Sequence, residues 1–223
     1  MIDGIVYINL AHRHDRKTHI LSELEKIRPI TDNVHRVDAV LEPLCGHLGC
    51  GKSHVKALEL AIEQNWSSVL IVEDDLKLIE DPASLSKKLT EVYDLSWDVV
   101  LLGLGHHNIA PTTHPYLSKV LSSTCAHGYL VRRHYYPTLL ENFRTAVTKM
   151  TSELQKHTEI CKKEQKPVTK LNYCSAIDQE WFRLQARDTF YVFTPQIGVQ
   201  QYELYSDNNC SVEHQAAKIK SAS

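Results

Sequence analysis

The stretch VLIVEDDLKL, residues 69–78, determines how the rest of the chain is interpreted. Its first four residues are apolar, as is typical of a strand that is buried on both faces of a sheet. Three acidic residues, Glu73, Asp74 and Asp75, follow at once. Because adjacent carboxylates repel one another, this pattern indicates that a positive group lies among them.

β-rich runs and helical runs alternate along the whole chain. The predicted strands are GIVYINL (4–10), VHRVDAV (34–40), SVLIV (68–72), WDVVLLG (97–103), HGYLV (127–131) and TFYVF (189–193). The predicted helices are 15–27, 53–65 with Ser53 as N-cap, 81–93 with Asp81 as N-cap, 135–147 and 176–186. Residues 105–116 are predicted to form a loop, and residues 148–170 to be helical or mobile. This alternation predicts an α/β fold with a mostly parallel central sheet flanked by helices.

The length and charge of the chain limit what it can be. Its 223 residues are interpreted as one domain, 1–223, with a frayed tail from about residue 214. The 25 basic and 27 acidic residues give a net charge of −2 without a basic block, so no nucleic acid or anionic membrane is expected as a partner. No apolar run approaches the roughly 20 residues of a membrane span, and no transmembrane segment is expected. The N-terminus is interpreted as a strand rather than a signal peptide, which predicts a cytoplasmic protein.

Four potential zinc ligands, Cys45, His47, Cys50 and His54, lie within ten residues. Structural zinc sites usually combine two separated ligand pairs, whereas this is one compressed run. We therefore expect small buried thiols and packing histidines here instead of a zinc site, with His54 buried and hydrogen-bonded.

The acidic triplet at the end of a buried strand suits a divalent cation. Ligands bind at the carboxyl ends of the strands in open α/β sheets. Mg²⁺ and Mn²⁺ prefer oxygen ligands and typically take one or two protein carboxylates, with water and substrate phosphates completing the shell. Such an ion removes the repulsion and stabilises the charge that builds up on a departing diphosphate. The alternative is a solvated acidic turn.

Seven segments, in this order, resemble glycosyltransferase family 25, which includes bacterial lipooligosaccharide galactosyltransferases and collagen hydroxylysine galactosyltransferases. These segments are YINLAHRHDR (7–16), RVDAV (36–40), GHLGCGKSHVKAL (46–58), VLIVEDDLKL (69–78), WDVVLLG (97–103), CAHGYLV (125–131) and IDQEW (177–181). The resemblance implies a GT-A fold and a metal-dependent, inverting transferase that uses Mn²⁺ or Mg²⁺. It also implies a UDP-sugar donor, commonly UDP-galactose, and a glycan or protein hydroxyl as acceptor, as in lipopolysaccharide biosynthesis.

The same resemblance assigns roles to individual residues. The donor-binding residues it implies are Asn9, Leu10, Arg13, Arg16, Asp38, Ala39, Glu73 and Asp74. Arginines suit phosphate oxygens because a guanidinium donates forked hydrogen bonds, although Arg13 and Arg16 could equally be surface residues at a helix start. Asp75 is implied as a metal ligand, and His214 is the candidate for a second ligand.

Asp178 is the candidate catalytic base. Attack by an acceptor hydroxyl on the anomeric carbon requires a group that takes the hydroxyl proton. Asp178 lies near the start of a predicted helix, and Glu180 lies about 200° further round that helix, so the two cannot share a face. The alternative is that Asp178 is an acidic residue placed favourably against the helix dipole.

Two other functions compete with the transferase. An inactive relative would bind a nucleotide sugar or a protein partner, but such a relative would be expected to lose the acidic triplet, which is intact here. A nucleotidyltransferase or sugar-nucleotide hydrolase would also use carboxylates at strand ends, but the glycine- and lysine-rich signature of nucleotidyltransferases is missing from the N-terminal sequence.

Overall fold

The computed structural model describes residues 1–171, 175–201 and 204. The strands are β1 Gly4–Asn9, β2 Val34–Asp38, β3 Ser68–Glu73, β4 Leu76–Leu78, β5 Val99–Leu101, β6 His107–Pro111, β7 Leu117–Ser123, β8 Gly128–Arg132, β9 Phe190–Phe193 and β10 Gly198–Gln200. The helices are α1 His14–Leu24, α2 Gly46–Glu63, α3 Pro82–Glu91, α4 Tyr136–Lys163, α5 Ile177–Glu180 and α6 Phe182–Arg187. In these described ranges, no helix is both long and apolar enough to cross a membrane.

Within the described residues, the main sheet has eight strands in the order β2-β1-β3-β8-β5-β9-β7-β6. Six strands run in one direction, and β7 and β8 run against them. A second, two-stranded sheet pairs β4 with β10. The prediction of an α/β fold with a mostly parallel sheet is confirmed.

The central strand β3 is buried on both faces, as its apolar sequence predicts. Val69 and Ile71 pack into a core formed with α2 and α4, while Leu70 and Val72 pack into a second core formed with α1 and α3. All four side chains are fully buried. Each contributes about 1.5–3 kcal/mol of hydrophobic stabilisation, which fixes the position of the strand end that carries the acids.

The carboxyl ends of β1, β2 and β3 meet at one edge of the sheet. The parallel register aligns Asn9 with Asp38, and Ile8 with Glu73. Polar residues that are distant in the sequence therefore become neighbours at the end of β3.

Helix α2 begins earlier than the sequence pattern predicts, at Gly46 rather than after Ser53. The prediction that Ser53 caps this helix is wrong, because the Ser53 hydroxyl is buried inside the helix. It donates to the Gly49 carbonyl at 2.7 Å and accepts from the Val40 backbone N–H at 2.8 Å. This bridge joins α2 to the loop that follows β2. The predicted Asp81 cap of α3 is confirmed, because its carboxylate accepts from the N–H groups of Ala83 and Ser84.

Gly49 allows the first turn of α2 to lie directly against the loop after β2. A Cβ atom at residue 49 would come within 2.3 Å of the Val40 carbonyl oxygen, which belongs to the backbone. In an open helix position, Gly→Ala stabilises by about 1 kcal/mol. Here we expect the opposite sign, with Gly49→Ala lowering the free energy of unfolding by about 1–3 kcal/mol in urea titrations. A stabilised Gly49→Ala variant would show that the two backbones are not in close contact.

Three further segments differ from the sequence prediction. Residues 107–111 of the predicted loop form strand β6, which pairs with β7 at the edge of the sheet. Residues 148–170 are predicted from the sequence to be helical or mobile. Helix α4 continues to Lys163 and buries Met150 and Cys161, so the mobile alternative is wrong for residues 148–163. The single helix predicted for 176–186 is two short helices that meet at Trp181, whose indole is fully buried and donates to the Ser123 carbonyl at 2.8 Å.

Candidate active site

The acidic triplet opens onto a cavity of about 300 Å³ at the carboxyl end of β3. Its wall includes six of the residues that the sequence singled out: Leu10, Arg16, Ala39, Glu73, Asp74 and Asp75. Asp74 and Asp75 are nevertheless almost entirely removed from solvent, with 5% and 7% of their surface exposed. Two buried carboxylates of this kind require compensating positive charge.

Arg16 supplies positive charge to both aspartates. Its guanidinium donates to Asp74 Oδ1 and to Asp75 Oδ2, each at 2.6 Å, and only 8% of the residue is exposed. Asn9 holds the other oxygen of Asp74, because its Nδ2 donates to Asp74 Oδ2 at 2.7 Å. The positive group expected among the acids is thus, within the chain itself, an arginine from the first turn of α1.

The three acids differ in how their surroundings affect ionisation. Burial, and then the charges of Asp75 and Glu73, raise the pKa of Asp74 to about 6, against the opposing effects of Arg16 and Asn9. Burial and the charge of Glu73 also raise the pKa of Asp75. Burial acts to raise the pKa of Glu73 as well, but the hydrogen bond and charge of His54 outweigh it, so the pKa of Glu73 is lowered.

Removal of Arg16 should destabilise the fold strongly. In Arg16→Met, two buried carboxylates lose their partner, and we expect the free energy of unfolding to fall by about 3–5 kcal/mol. Arg28→Met is the control, because Arg28 forms an exposed ion pair with Glu25 whose loss should cost less than about 1 kcal/mol.

If Arg16→Met loses stability because two buried carboxylates are left without a positive partner, replacing both carboxylates with neutral amides should restore it. The triple variant Arg16→Met, Asp74→Asn, Asp75→Asn should recover much of the lost free energy of unfolding, as measured by chemical denaturation. Equal stability of Arg16→Met and the wild-type protein would show that the ion pairs do not compensate buried charge.

The remaining predicted donor residues lie around this cavity in different ways. Asn9 acts through its bond to Asp74. The guanidinium of Arg13 donates to both carboxylate oxygens of Asp15, at 3.0 and 2.8 Å. Asp38 is exposed and pairs with Arg36 at 2.8 Å. Neither Arg13 nor Asp38 is among the described residues that line the cavity.

The free oxygen of Asp75 fits the divalent cation that the sequence implies. Within the described part of the chain, Asp75 Oδ1 is buried and has no hydrogen-bond partner, whereas Asp75 Oδ2 and both oxygens of Asp74 are already bonded. A single protein carboxylate oxygen, completed by water and substrate phosphates, is an ordinary way to bind Mg²⁺ or Mn²⁺. His214, the candidate second ligand, lies outside the described residues.

Glu73 faces α2 instead of Arg16. Its Oε1 lies 3.1 Å from His54 Nε2 and 3.7 Å from Cys50 Sγ. His54 Nδ1 lies 2.9 Å from the Tyr129 hydroxyl, and His54 is fully buried, as predicted. Among the described residues, the potential ligands that come together are Cys50, His54 and Glu73, without Cys45 or His47.

The sequence did not identify several residues of this region. Gln200 on β10 and Lys170 line the cavity, although both lie more than 90 residues from Asp75. His127 is buried immediately before β8, and the Glu73 N–H donates to its carbonyl at 2.9 Å. No local pattern could have associated these residues with the triplet. Strand pairing brings Gln200 and His127 there, whereas Lys170 lies in a loop that is held by the hydrogen bond from the Leu171 N–H to the Leu44 carbonyl.

Asp178 binds a neighbouring loop. Its Oδ2 accepts from the Cys125 backbone N–H at 2.9 Å, and Cys125 has a left-handed φ of 74°. Glu180 contacts a different partner, because both of its carboxylate oxygens accept from Lys149 Nζ, at 2.7 and 2.8 Å. Asp178 and Glu180 therefore bind different partners, as expected for two residues that do not share a helix face.

No family model matches the chain, and no curated protein matches its sequence. Among solved structures, a mannose-1-phosphate geranyltransferase from Thermus thermophilus has 10% identity, a TM-score of 0.49, and a match over 85% of this chain and 72% of that one. A glycosyltransferase involved in the glycosylation of the major capsid of PBCV-1 has 13% identity and a TM-score of 0.43, over 97% of this chain and 98% of that one. A galactosyltransferase in complex with donor and acceptor sugar analogs has 11% identity and a TM-score of 0.40, over 84% of this chain and 72% of that one. At these identities and TM-scores the likeness assigns no activity to this chain.

Proposed function

We propose that this chain is a metal-dependent, inverting glycosyltransferase of the GT-A type. It transfers a hexose, with galactose as the first choice, from a UDP-sugar to a hydroxyl of a glycan or hydroxylysine-type acceptor. The observation that carries this proposal is the buried Asp75 carboxylate, with one unbonded oxygen, beside a cavity at the carboxyl end of the central strand. The choice of galactose and of family 25 rests on the ordered sequence segments alone.

The cavity suits the nucleotide part of such a donor. Its volume of about 300 Å³ is at the lower end of the range for small-molecule pockets, roughly 300–1,000 Å³. Apolar Leu10 and Ala39, which follow β1 and β2, can contact a base or ribose, and the acids stand at the end of β3. In this proposal the diphosphate would lie next to Asp75.

A bound Mn²⁺ or Mg²⁺ would stabilise negative charge on the departing diphosphate. Asp75 would hold the ion, because it offers the one carboxylate oxygen of the aspartate pair that has no other partner in the described residues. Arg16 and Asn9 position this carboxylate by fixing Asp74 and the second oxygen of Asp75. These bonds hold the free oxygen in place before the donor arrives, which reduces the ordering cost of binding.

Asp178 is the proposed base for the acceptor hydroxyl. Its neighbour in the chain, Ile177, packs against Gly51, which follows Cys50 on α2: a Cβ atom at residue 51 would lie 3.2 Å from Ile177 Cγ2. Cys50 in turn lines the cavity, so Asp178 is close to the wall on the side of α2 and α5. An acceptor oxygen that enters from this side would give its proton to Asp178 as it bonds to the anomeric carbon.

Screening a panel of nucleotide sugars for slow hydrolysis, with Mn²⁺ and with a chelator, tests this function. We expect hydrolysis of a UDP-hexose, UDP-galactose first, that requires the metal. Failure to bind UDP and to hydrolyse any nucleotide sugar would exclude the proposal.

The alternative is an inactive relative that binds a nucleotide sugar or a protein partner. One observation favours it: Arg16 already pairs with both Asp74 and Asp75, so part of the negative charge of the site is compensated without a metal. UDP-sugar binding that is independent of Mn²⁺, with no hydrolysis of any donor in the panel, would support this alternative over the enzyme.

A further inference from the structure

Three side chains of different chemistry converge on one point of the cavity wall. The ligand atoms of Cys50, His54 and Glu73 all lie within 4.8 Å of one another. Cys50 and His54 are four residues apart on α2 and therefore share a face of the helix, while Glu73 reaches them from the end of β3. All three residues line the same cavity.

Their spacing matches the edges of a tetrahedral zinc site. Bonds of about 2.3 Å to sulfur and about 2.0 Å to nitrogen and oxygen require separations of about 3.5 Å between sulfur and oxygen, and about 3.3 Å between nitrogen and oxygen. The observed separations are 3.7 Å for Cys50 Sγ and Glu73 Oε1, and 3.1 Å for His54 Nε2 and Glu73 Oε1. The third edge, between Cys50 Sγ and His54 Nε2, is at most 4.8 Å, against about 3.5 Å in a tetrahedral site. An ion could therefore enter with a side-chain movement of at most about 1.3 Å.

A second observation also indicates a ligand at this point. Histidines that bind metals usually have the other ring nitrogen held by a hydrogen bond, which fixes the tautomer. His54 Nδ1 lies 2.9 Å from the Tyr129 hydroxyl, and both residues are fully buried. In the metal-free protein the His54 Nε2–H donates to the Glu73 carboxylate at 3.1 Å. An ion that binds at Nε2 displaces this proton, and Nδ1–H then donates to Tyr129.

The surrounding charge favours a cation here. The Glu73 carboxylate lies 3.7 Å from Cys50 Sγ and 3.1 Å from His54 Nε2. Asp75, two residues further along the chain, has a buried carboxylate oxygen with no partner among the described residues. These nearby negative charges stabilise a dication, whose binding releases the thiol proton to solvent.

We infer that Cys50, His54 and Glu73 form a zinc site with its fourth position open to the cavity. Three protein ligands and one open position are the arrangement of zinc sites that bind a water or a substrate atom. The thiolate distinguishes this site from the proposed Mn²⁺ site at Asp75, because soft sulfur selects zinc while oxygen-only sites suit Mg²⁺ and Mn²⁺. The inference does not depend on sugar transfer, since the three ligands are assembled whatever reaction the chain performs.

Cobalt substitution in the 223-residue chain tests this inference. Chelator-treated protein is titrated with Co²⁺, and absorption reports both tetrahedral coordination and a thiolate-to-cobalt charge-transfer band. We expect one equivalent of Co²⁺ with both signals, and displacement by one equivalent of Zn²⁺. Absence of the thiolate band in the wild-type protein overturns the inference without any variant.

Matched variants identify the ligands. Cys50→Ala and Cys50→Ser should lose the thiolate band, whereas Cys161→Ala, which removes a buried thiol of α4, should keep it. Tyr129→Phe should weaken zinc binding roughly 10–100-fold, because only the support of His54 is lost. Circular dichroism identifies which variants are folded. A thiolate band that persists in folded Cys50→Ser shows that another cysteine binds the ion, and the inference is then wrong.

Discussion

Asp178→Asn is expected to lower the rate of sugar transfer by about 10²-fold or more, while the affinities for donor and Mn²⁺ stay unchanged. The substitution preserves the size of the side chain and removes its ability to take a proton. Slow hydrolysis of the donor should fall as well, because water also requires a base. Steady-state transfer rates and calorimetric binding of the donor measure the two effects separately.

The structure shows why asparagine is the informative replacement. Asp178 also accepts from the Cys125 N–H, and the amide oxygen of asparagine can accept the same bond. Asp178→Ala removes both the base and this bond, so a further loss in that variant would measure the contribution of the Cys125 loop. Glu180→Gln is the control, since Glu180 pairs with Lys149 and should change the rate little. Near wild-type transfer by Asp178→Asn would exclude Asp178, and Asp207, outside the described residues, would be tested next.

Asp75→Ala is expected to eliminate the strengthening of UDP binding by Mn²⁺. In the wild-type protein, UDP should bind more tightly with Mn²⁺ than with chelator, because the diphosphate and the buried carboxylates repel each other without a cation. In Asp75→Ala the affinity measured with Mn²⁺ should fall to the value measured with chelator. Isothermal titration calorimetry gives both values.

A charge-matched variant controls for general electrostatics. Glu63→Ala removes one negative charge from an exposed position at the end of α2 and should leave the effect of Mn²⁺ intact. If wild-type UDP affinity is the same in chelator as in Mn²⁺, the metal bridge between Asp75 and the diphosphate does not exist.

The sheet could be predicted because each strand carries its own local signal. The apolar run of β3 is buried on both faces, as its sequence indicates. β4 and β10 gave no comparable signal, because three-residue strands are too short to show a period. The helix predicted for 176–186 is divided at Trp181 by a buried indole that bonds to Ser123, a partner 58 residues away.

The site could be predicted only in part. Adjacent acids indicate that positive charge must be near, but they do not identify its source. Arg16 is 58 residues from Asp74, and the packing of α1 against the sheet decides that the two meet. The ligand cluster of Cys50, His54 and Glu73 was missed for the same reason, since its third member comes from a different element. Local patterns report burial and charge, whereas partners are decided by tertiary structure.

A crystal structure of the chain with UDP and Mn²⁺, with the ion located by its anomalous scattering, tests the central claim most directly. We expect one Mn²⁺ bound to the Asp75 carboxylate and to the diphosphate, with the nucleoside against Leu10 and Ala39. Nucleotide bound away from this cavity, or a diphosphate in the cavity with no ion at Asp75, would contradict the proposed function.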